Sequence, residues 1–446
     1  MRTKLRDLFF GGVLRASISK ASGAAISLKV FNAALGFATT VLLARMLGPD
    51  SFGVYAFALA VVMIVGLPAK AGVPQLVTKE TAKGQASGQW GTVKAVWRWS
   101  TAVVILVSFV ALLAAALVGA LYSERIEMEL SITIGIGMLM IPVMGLALVR
   151  ASSLRGLGHT VQGQLPELVI KPAVFLALLI AVSMMFSSSQ FTSATAMGLN
   201  IAATAVAFFV GAALLQRTRP PELTHAKPSY DSRAWTATII PMAAINAMHL
   251  INTQADILLI GIFMVSAEVG YYKVAAQMSL IVAFGLQATK MVVEPYFARF
   301  YHQREFVKLQ RLSRAASRLN LTIAVAVLGL LIVLGKEILE MAFGVAFVAA
   351  FTPMLILSGG RLAGACLGSS GSLLVMAGYH REYARFWIIA AFLNVILNII
   401  FIPVFGMVGA AIATSTTLLV PYICGWWAAK KWIGCDCSPF ATIREV

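Results

Sequence analysis

Twelve stretches of this chain, each near the length of a bilayer crossing, run almost uninterrupted by charge, and no other feature limits its fold so sharply. They fall at roughly 22–46, 51–73, 99–121, 131–151, 165–186, 194–215, 237–262, 270–292, 319–342, 349–375, 385–405 and 408–430. A helix needs about 20 apolar residues to cross hydrocarbon. The runs are continuous, without the period-two alternation of a membrane barrel, and a helix satisfies its own backbone in lipid. Only 12% of the residues are charged, about half the share of a soluble domain, so the surface a soluble protein would need is missing. The sequence predicts an all-α polytopic membrane protein with twelve transmembrane helices. The run "LFFGGVL" at 8–14 is too short and wrongly flanked for a cleaved signal peptide, so a retained N-terminus is expected.

The net charge of +17 invites a nucleic-acid reading, but its placement argues for a membrane. Basic residues crowd the N-terminal segment (Arg2, Lys4, Arg6, Arg15, Lys20) and the loops after spans 2, 6 and 8: Lys79, Lys83, Lys94 and Arg98; Arg217, Arg219, Lys227 and Arg233; Arg299, Arg304, Lys308, Arg311, Arg314 and Arg318. The alternate connections are short and neutral or acidic, with Glu124, Arg125, Glu127 and Glu129 after span 3 and Glu268 alone after span 7. Positive loops stay in the cytoplasm. Both termini are therefore expected there, in a multi-pass protein; the family resemblance given below implies that the membrane is a bacterial cytoplasmic (inner) membrane. Membrane lipids are expected partners of the basic loops. No basic domain stands outside the membrane, so no nucleic-acid partner is expected.

One phrase is written twice. "GPDSFGVYAFA" at 48–58 and "VSAEVGYYKVA" at 265–275 align at an offset of 217, where Gly53 meets Gly270 and Tyr55 meets Tyr272. A weaker echo pairs "RGLGHT" (155–160) with "MAGYHR" (376–381). The proline-rich stretch "QRTRPPELTHAKPSYDSRAW" separates the two copies. The expected organisation is a cytoplasmic N-terminal segment at 1–21, a six-helix bundle at 22–216, a cytoplasmic linker at 217–236, a second six-helix bundle at 237–430 and a cytoplasmic tail at 431–446. Six spans is an even number, so the halves enter the membrane in the same direction, as parallel repeats do.

Catalytic signatures are lacking. There is no GxxxxGK[ST] phosphate loop and no HExxH, and the outer loops are too short for a catalytic domain. The chain is expected not to be an enzyme and to carry no metal or other cofactor. Cys366 and Cys424 lie in apolar spans, where cysteine is usually a small hydrophobe. "CDC" at 435–437 lacks a second ligand pair and reads as structural.

Ionisable groups at membrane depth each need a partner or a wet cavity. Span 1 carries Lys29 and Asn32, and span 7 carries Asn246, His249, Asn252, Thr253 and Asp256. Span 8 carries Lys273 and Gln277, with Lys290 and Glu294 at its inner end, and span 10 carries Arg361. Glu167 and Lys171 stand at i,i+4 and read as a self-paired couple. Asn394 and Asn398, also at i,i+4, read as bonding to neighbouring helices. Lys29, Asp256, Lys273 and Arg361 have no opposite charge within a helical turn. They are the candidates for lining a water-filled cavity, and their mostly positive sign suits an anionic phosphate group. Candidate substrate-binding residues are Lys29, Asn32, Asn252, Lys273, Gln277 and Arg361. Asp256 is the candidate ion-coupling residue, through H⁺ or Na⁺.

"LLARMLGPDSFGVYAFALAVV" (42–62), "RASSLRGLGHT" (150–160), "QADILLIGIFMVSAEVGYYKVAAQMS" (254–279) and "IPVFGMVGAAIATS" (402–415) together resemble the polysaccharide-type flippases of the multidrug/oligosaccharidyl-lipid/polysaccharide exporter superfamily. The resemblance implies two six-helix bundles around a central cavity lined by spans 1, 2, 7 and 8. Lys29, Asp256 and Lys273 fall on those spans, and Arg361 does not. It also implies a function: moving undecaprenyl-pyrophosphate-linked oligosaccharide from the inner to the outer leaflet for O-antigen, capsule or exopolysaccharide assembly, with a polymerase and glycosyltransferases as partners. Three alternatives stay open. A multidrug antiporter should have an acidic, aromatic cavity. A lipid II flippase is expected to have fourteen spans. A non-transporting scaffold for polysaccharide enzymes need not tolerate lone charges within spans.

Overall fold

The computed structural model describes the backbone of residues 2–70, 72–121, 127–185 and 191–440, and the side chains from 27 onward except at 118, 241, 244, 245, 249, 288 and 291. The outer-loop residues Glu124 and Arg125, tail residues 441–446, and the side chains of His249 and the N-terminal basic cluster lie outside the described residues. Among the described residues every regular element is helical. In chain order they are α1 (Arg2–Val65), α2 (Leu67–Lys70), α3 (Val73–Ala86), α4 (Trp90–Leu121), α5 (Met128–Met138), α6 (Met140–Gly156), α7 (Thr160–Leu165), α8 (Lys171–Met185), α9 (Ser193–Thr218), α10 (Glu222–His225), α11 (Ser232–Phe263), α12 (Ser266–His302), α13 (Phe306–Phe343), α14 (Phe351–Met376) and α15 (His380–Ala428).

Among the described residues nine helical rods are long and apolar enough to cross a membrane. Two of these are double, because α1 breaks at Gly48 (φ 69°) and α15 at Gly406 (φ 57°). Only glycine enters that backbone region without strain. The 32-residue α11 covers the position of the expected seventh span. Each of the twelve expected spans thus has its helix. Large apolar side chains lie on the outside, among them Leu117, Leu121, Phe209, Ile262 and Val333. In water such a surface would be an aggregation liability; in hydrocarbon it is the required exterior.

Both outer breaks are followed by helix-starting chemistry. Pro49 takes the first helical position after Gly48, where its missing N–H costs nothing. After Gly406, the N–H of Met407 donates to the Glu268 carboxylate at 2.8 Å, so an acid from the first turn of α12 caps the second limb of α15. The weaker sequence echo is also a shared turn. Gly158 (φ 86°) and Gly378 (φ 95°) each end a helix in the left-handed region. The following N–H reaches back five residues, His159 to Leu154 O and Tyr379 to Leu374 O, both at 2.9 Å. These are Schellman motifs.

The chain packs as two units, Met1–Met46 with Val61–Ala247, and Leu47–Ala60 with Met248–Val446. This division differs from the expected halves, 22–216 and 237–430, in two segments. The first sixteen residues of α11 pack in the first unit, and 47–60 pack in the second. The reason for the latter is the repeated phrase itself. A methyl on Gly53 would stand 3.1 Å from Gly270 N, and one on Gly270 would stand 3.3 Å from Gly53 N. Gly53 lies against the Ser266 carbonyl, and Gly270 against that of Pro49. Pro49 and Ser266 are themselves equivalent at the offset of 217. The two hairpins cross backbone to backbone, which only glycine allows. Phe52 adds an edge-on contact to Phe347 at 6.1 Å.

In the first unit the expected linker is docked. Lys94 Nζ donates to Thr224 O and Ala226 O at 2.7 and 3.0 Å, and Leu223 is fully buried. Trp235 packs with Leu76, Ala95 and Val96. In the second unit the tail folds back from Gly434 onto α13. Gln310 and Asp436 exchange two hydrogen bonds, Ser317 donates to Cys437 O at 2.8 Å, and Arg318 donates to Pro439 O at 2.8 Å. Cys435 and Cys437 are buried with Phe297, Leu309 and Leu373.

Candidate functional site

The second unit surrounds one carboxylate. Asp256 sits on α11 and is 6% exposed. α12 brings Tyr272, whose hydroxyl donates to Asp256 Oδ2 at 2.5 Å. α15 contributes twice, because its break at Gly406 folds one limb back on the other. From the first limb, Asn398 Nδ2 donates to Asp256 Oδ1 at 2.8 Å. From the second, Thr414 Oγ1 donates to Asp256 Oδ2 at 2.7 Å. Asn394, one turn before Asn398, donates to Thr414 Oγ1 at 3.0 Å and bridges the limbs.

Among the described residues every hydrogen-bond donor to this carboxylate is neutral. Among the described residues the Oδ1 atoms of Asn394 and Asn398, both buried, have no hydrogen-bond partner. The two side chains are 1% and 0% exposed. An unsatisfied buried carbonyl costs about 1–3 kcal/mol, so a pair beside a carboxylate needs a reason. The amides donate through Nδ2, so the oxygens that meet here are the Asp256 carboxylate and the Tyr272 and Thr414 hydroxyls, hard donors of the type that suits a small hard cation. The same carboxylate can take a proton.

Arg361 comes from α14, and its Nε donates to Ser279 Oγ on α12 at 2.9 Å. Small residues let α14 approach α15: Gly360 lies against Ser415, and Gly364 against the Tyr422 ring. Arg361 is within electrostatic reach of Tyr422, Tyr272 and Asp256. Among the described residues it makes no ion pair within 4.0 Å.

The structure thus gathers Asp256, Asn394, Asn398 and Arg361 in one unit. Asn252, one turn before Asp256, is half-buried, as are Lys273 and Gln277, and none of the three makes a hydrogen bond to the Asp256 group. Lys273 does not pair with Asp256; its neighbour Tyr272 takes that position, and successive helical residues point about 100° apart. Lys29 is exposed and Asn32 half-buried, both in the first unit. Tyr272, Thr414 and Ser279 escaped the sequence reading, since hydroxyl residues are too common in apolar helices to stand out.

The first unit holds a second buried charge group. Arg150, 4% exposed, donates to the carbonyls of Ala207 and Phe208 and pairs with Glu167 at 3.4 Å. Gly211 leaves room for its guanidinium. Glu167 lies on the π-helical turn Pro166–Ile170, where i→i+5 bonding changes the angular position of each residue relative to an α-helix. Glu167, expected to pair with Lys171, thus pairs with Arg150, and among the described residues no ion pair within 4.0 Å joins it to Lys171. Arg150 was read only as part of a loop signature.

The family described as "Polysaccharide biosynthesis protein" matches residues 19–301, more than half of the chain. A protein of Haloferax volcanii described as "Probable low-salt glycan biosynthesis flippase Agl15" is 24% identical over 396 residues, covering 88% of this chain and 79% of that protein. Among solved structures, an inward-facing multidrug resistance MATE family transporter of the MOP superfamily superposes with a TM-score of 0.75 at 13% identity, covering 93% of this chain and 98% of the other. The lipid II flippase MurJ, in an inward closed conformation, gives 0.72 at 14% identity, covering 91% and 87%. At these identities the structures establish a shared fold.

Proposed function

We propose, from the premise that the chain belongs to the polysaccharide biosynthesis protein family, that it flips lipid-linked oligosaccharide across the cytoplasmic membrane. The substrate in this reading is undecaprenyl-pyrophosphate-linked sugar, moved from the inner to the outer leaflet by alternating access for surface polysaccharide. The description of the Haloferax volcanii relative as a glycan biosynthesis flippase supports it. The single observation that carries it is a lone guanidinium, Arg361, held at membrane depth in the same unit as a carboxylate ringed by neutral donors. In the second unit Arg361, with Lys273, Gln277 and Asn252, would take the pyrophosphate and nearby sugar hydroxyls; Lys29 and Asn32 are the first unit's own candidates for binding substrate. Asp256 would hold the coupling Na⁺ or proton, with the hydroxyls of Tyr272 and Thr414 beside it. A multidrug antiporter fits less well, since the lone charges are mostly basic. Polymerase and glycosyltransferases would be partners, and both termini would be cytoplasmic.

The test is purified protein in liposomes carrying a fluorescent lipid-linked oligosaccharide in the inner leaflet. Flipping is expected in wild type and reduced at least tenfold in Arg361→Gln and Asp256→Ala. Wild-type flipping in both variants at equal reconstitution would overturn the site. Absence of flipping, with binding to a glycosyltransferase retained, would favour the scaffold.

A further inference from the structure

Asp256 on α11 and Arg361 on α14 both dock on one face of α12, with no ion pair within 4.0 Å between them. Asp256 is held by Tyr272, and Arg361 by Ser279. Those two residues are seven apart on α12, which places them on the same face, roughly 10 Å along the axis. Between them on that face stands Ala276, whose carbonyl accepts from Ser279 Oγ at 2.8 Å. Among the described residues the titratable and charged groups facing Asp256 are Tyr272 from α12 and Arg361 from α14, while α15 contributes the neutral Asn394, Asn398 and Thr414. Tyr422 on α15 faces Arg361.

Neutral donors stabilise a carboxylate without cancelling its charge. An ionised Asp256 therefore opposes the field of Arg361 and repels any anion there. The opposition is screened less than it would be at an exposed surface, because Asp256 is buried. A cation on Asp256 removes it. The phosphate that Arg361 attracts then meets an undiminished guanidinium, and by linkage the bound phosphate holds the cation more tightly to the same degree.

We infer that cation binding at Asp256 and phosphate binding at Arg361 reinforce each other, so that this unit takes its cation and its anionic substrate together rather than exchanging one for the other. This rests on the reading of the two residues as coupling-ion and substrate sites. It goes beyond that reading by fixing the sign of the coupling, which would be opposite if the two ligands competed.

The test measures binding, not transport. Full-length protein in detergent is titrated with undecaprenyl pyrophosphate at fixed alkaline pH, in Na⁺ and in N-methyl-D-glucamine at equal ionic strength, and again without Na⁺ at mildly acid pH. Na⁺ or acidification is expected to lower the Kd of wild type at least about fivefold, the lower end of ordinary coupling between sites. Asp256→Asn is expected to bind the probe as tightly as the cation-loaded wild type, with no dependence on Na⁺ or pH. A purely structural role for Asp256 would not give that result. Arg361→Gln is expected to lose about tenfold in affinity and all of the cation effect, which keeps the idea testable if Asp256→Asn does not fold. A Kd unchanged or raised by both cations in wild type overturns the inference, as does failure to bind in any condition. An equal cation effect on phosphatidylglycerol binding would assign the phosphate to bulk lipid and overturn the substrate part. Flipping in liposomes with no cation effect on binding would sink the coupling alone. Coupled binding without flipping would sink the proposed function alone.

Discussion

Gly53→Ala perturbs the backbone crossing at its tightest point. The new methyl would stand 2.6 Å from the Ser266 carbonyl carbon and closer still to its oxygen, with Gly270 N at 3.1 Å. Carbon atoms in contact rest about 3.5–4.0 Å apart, so one hairpin must retreat by roughly 1 Å. Neither clashing group is a side chain, and no rotamer change can relieve it. Overpacking of this kind costs about 1–3 kcal/mol, and a rigid backbone neighbour argues for the upper end. The gain in helix propensity on replacing glycine by alanine offsets about 1 kcal/mol, leaving a net loss of about 2 kcal/mol. Gly359→Ala is the control, because nothing lies within 4 Å of its added methyl. That variant is expected to be neutral or up to about 1 kcal/mol more stable. Both are compared by denaturant unfolding of purified protein in one detergent. Gly270→Ala should resemble Gly53→Ala, and the double variant should cost less than the sum because the hairpins separate once. If Gly53→Ala unfolds within about 0.5 kcal/mol of Gly359→Ala, the crossing is not as tight as the backbone distances require.

Arg150→Met strands Glu167 and two carbonyls in the first unit and should cost about 3–5 kcal/mol; detergent unfolding measures it, and adding Glu167→Gln should recover part. At Asp436, burial alone would raise the acid, but hydrogen bonds from Trp426 and Ser438 and the Lys430 ammonium hold it below the usual carboxylate range. Its folded value is depressed, so its contribution to tail docking is complete above the unfolded value of about 3.9 and is lost as pH falls through the folded value. Pepsin cleavage near residue 436 should therefore accelerate below about pH 4, and Asp436→Asn should flatten that dependence. The Cys435 thiol is pushed up by its hydrogen bond with Cys437 and then by burial, so a polar maleimide should label neither cysteine in the folded protein. Labelling of both is expected in Gln310→Ala/Arg318→Ala, read by mass spectrometry.

The sequence reveals whatever has a period or a rare residue type. Apolar runs near 20 residues locate the spans, and Gly53–Gly270 and the two inner glycine turns are visible because glycine repeats stand out from an apolar background. Asp256 is conspicuous because an acid in a span is rare. Its partners are not, since Tyr272 and Thr414 look like any hydroxyl in a membrane helix, and Thr414 is 158 residues from Asp256. The docking of 217–236 is equally hidden: three prolines and mixed charge read as a tether, while Lys94 on the carbonyls of Thr224 and Ala226, buried Leu223 and packed Trp235 show otherwise. Asn394 and Asn398 carry a polar period, but the periodicity cannot say which neighbour receives them.

The crossing of the two hairpins has the pattern of a symmetric dimer within a single chain. Gly53 lies on the carbonyl of Ser266, and Gly270 on that of Pro49. Exchange the two copies and the same pair of contacts returns, which is the mark of an isologous interface about a two-fold axis. A six-span ancestor with both ends on one side of the membrane can be duplicated head to tail without turning either copy over. Fusion would then turn an association between equals into a fixed internal joint. Each half could afterwards change alone, and Lys273 in one copy stands where Ala56 remains in the other.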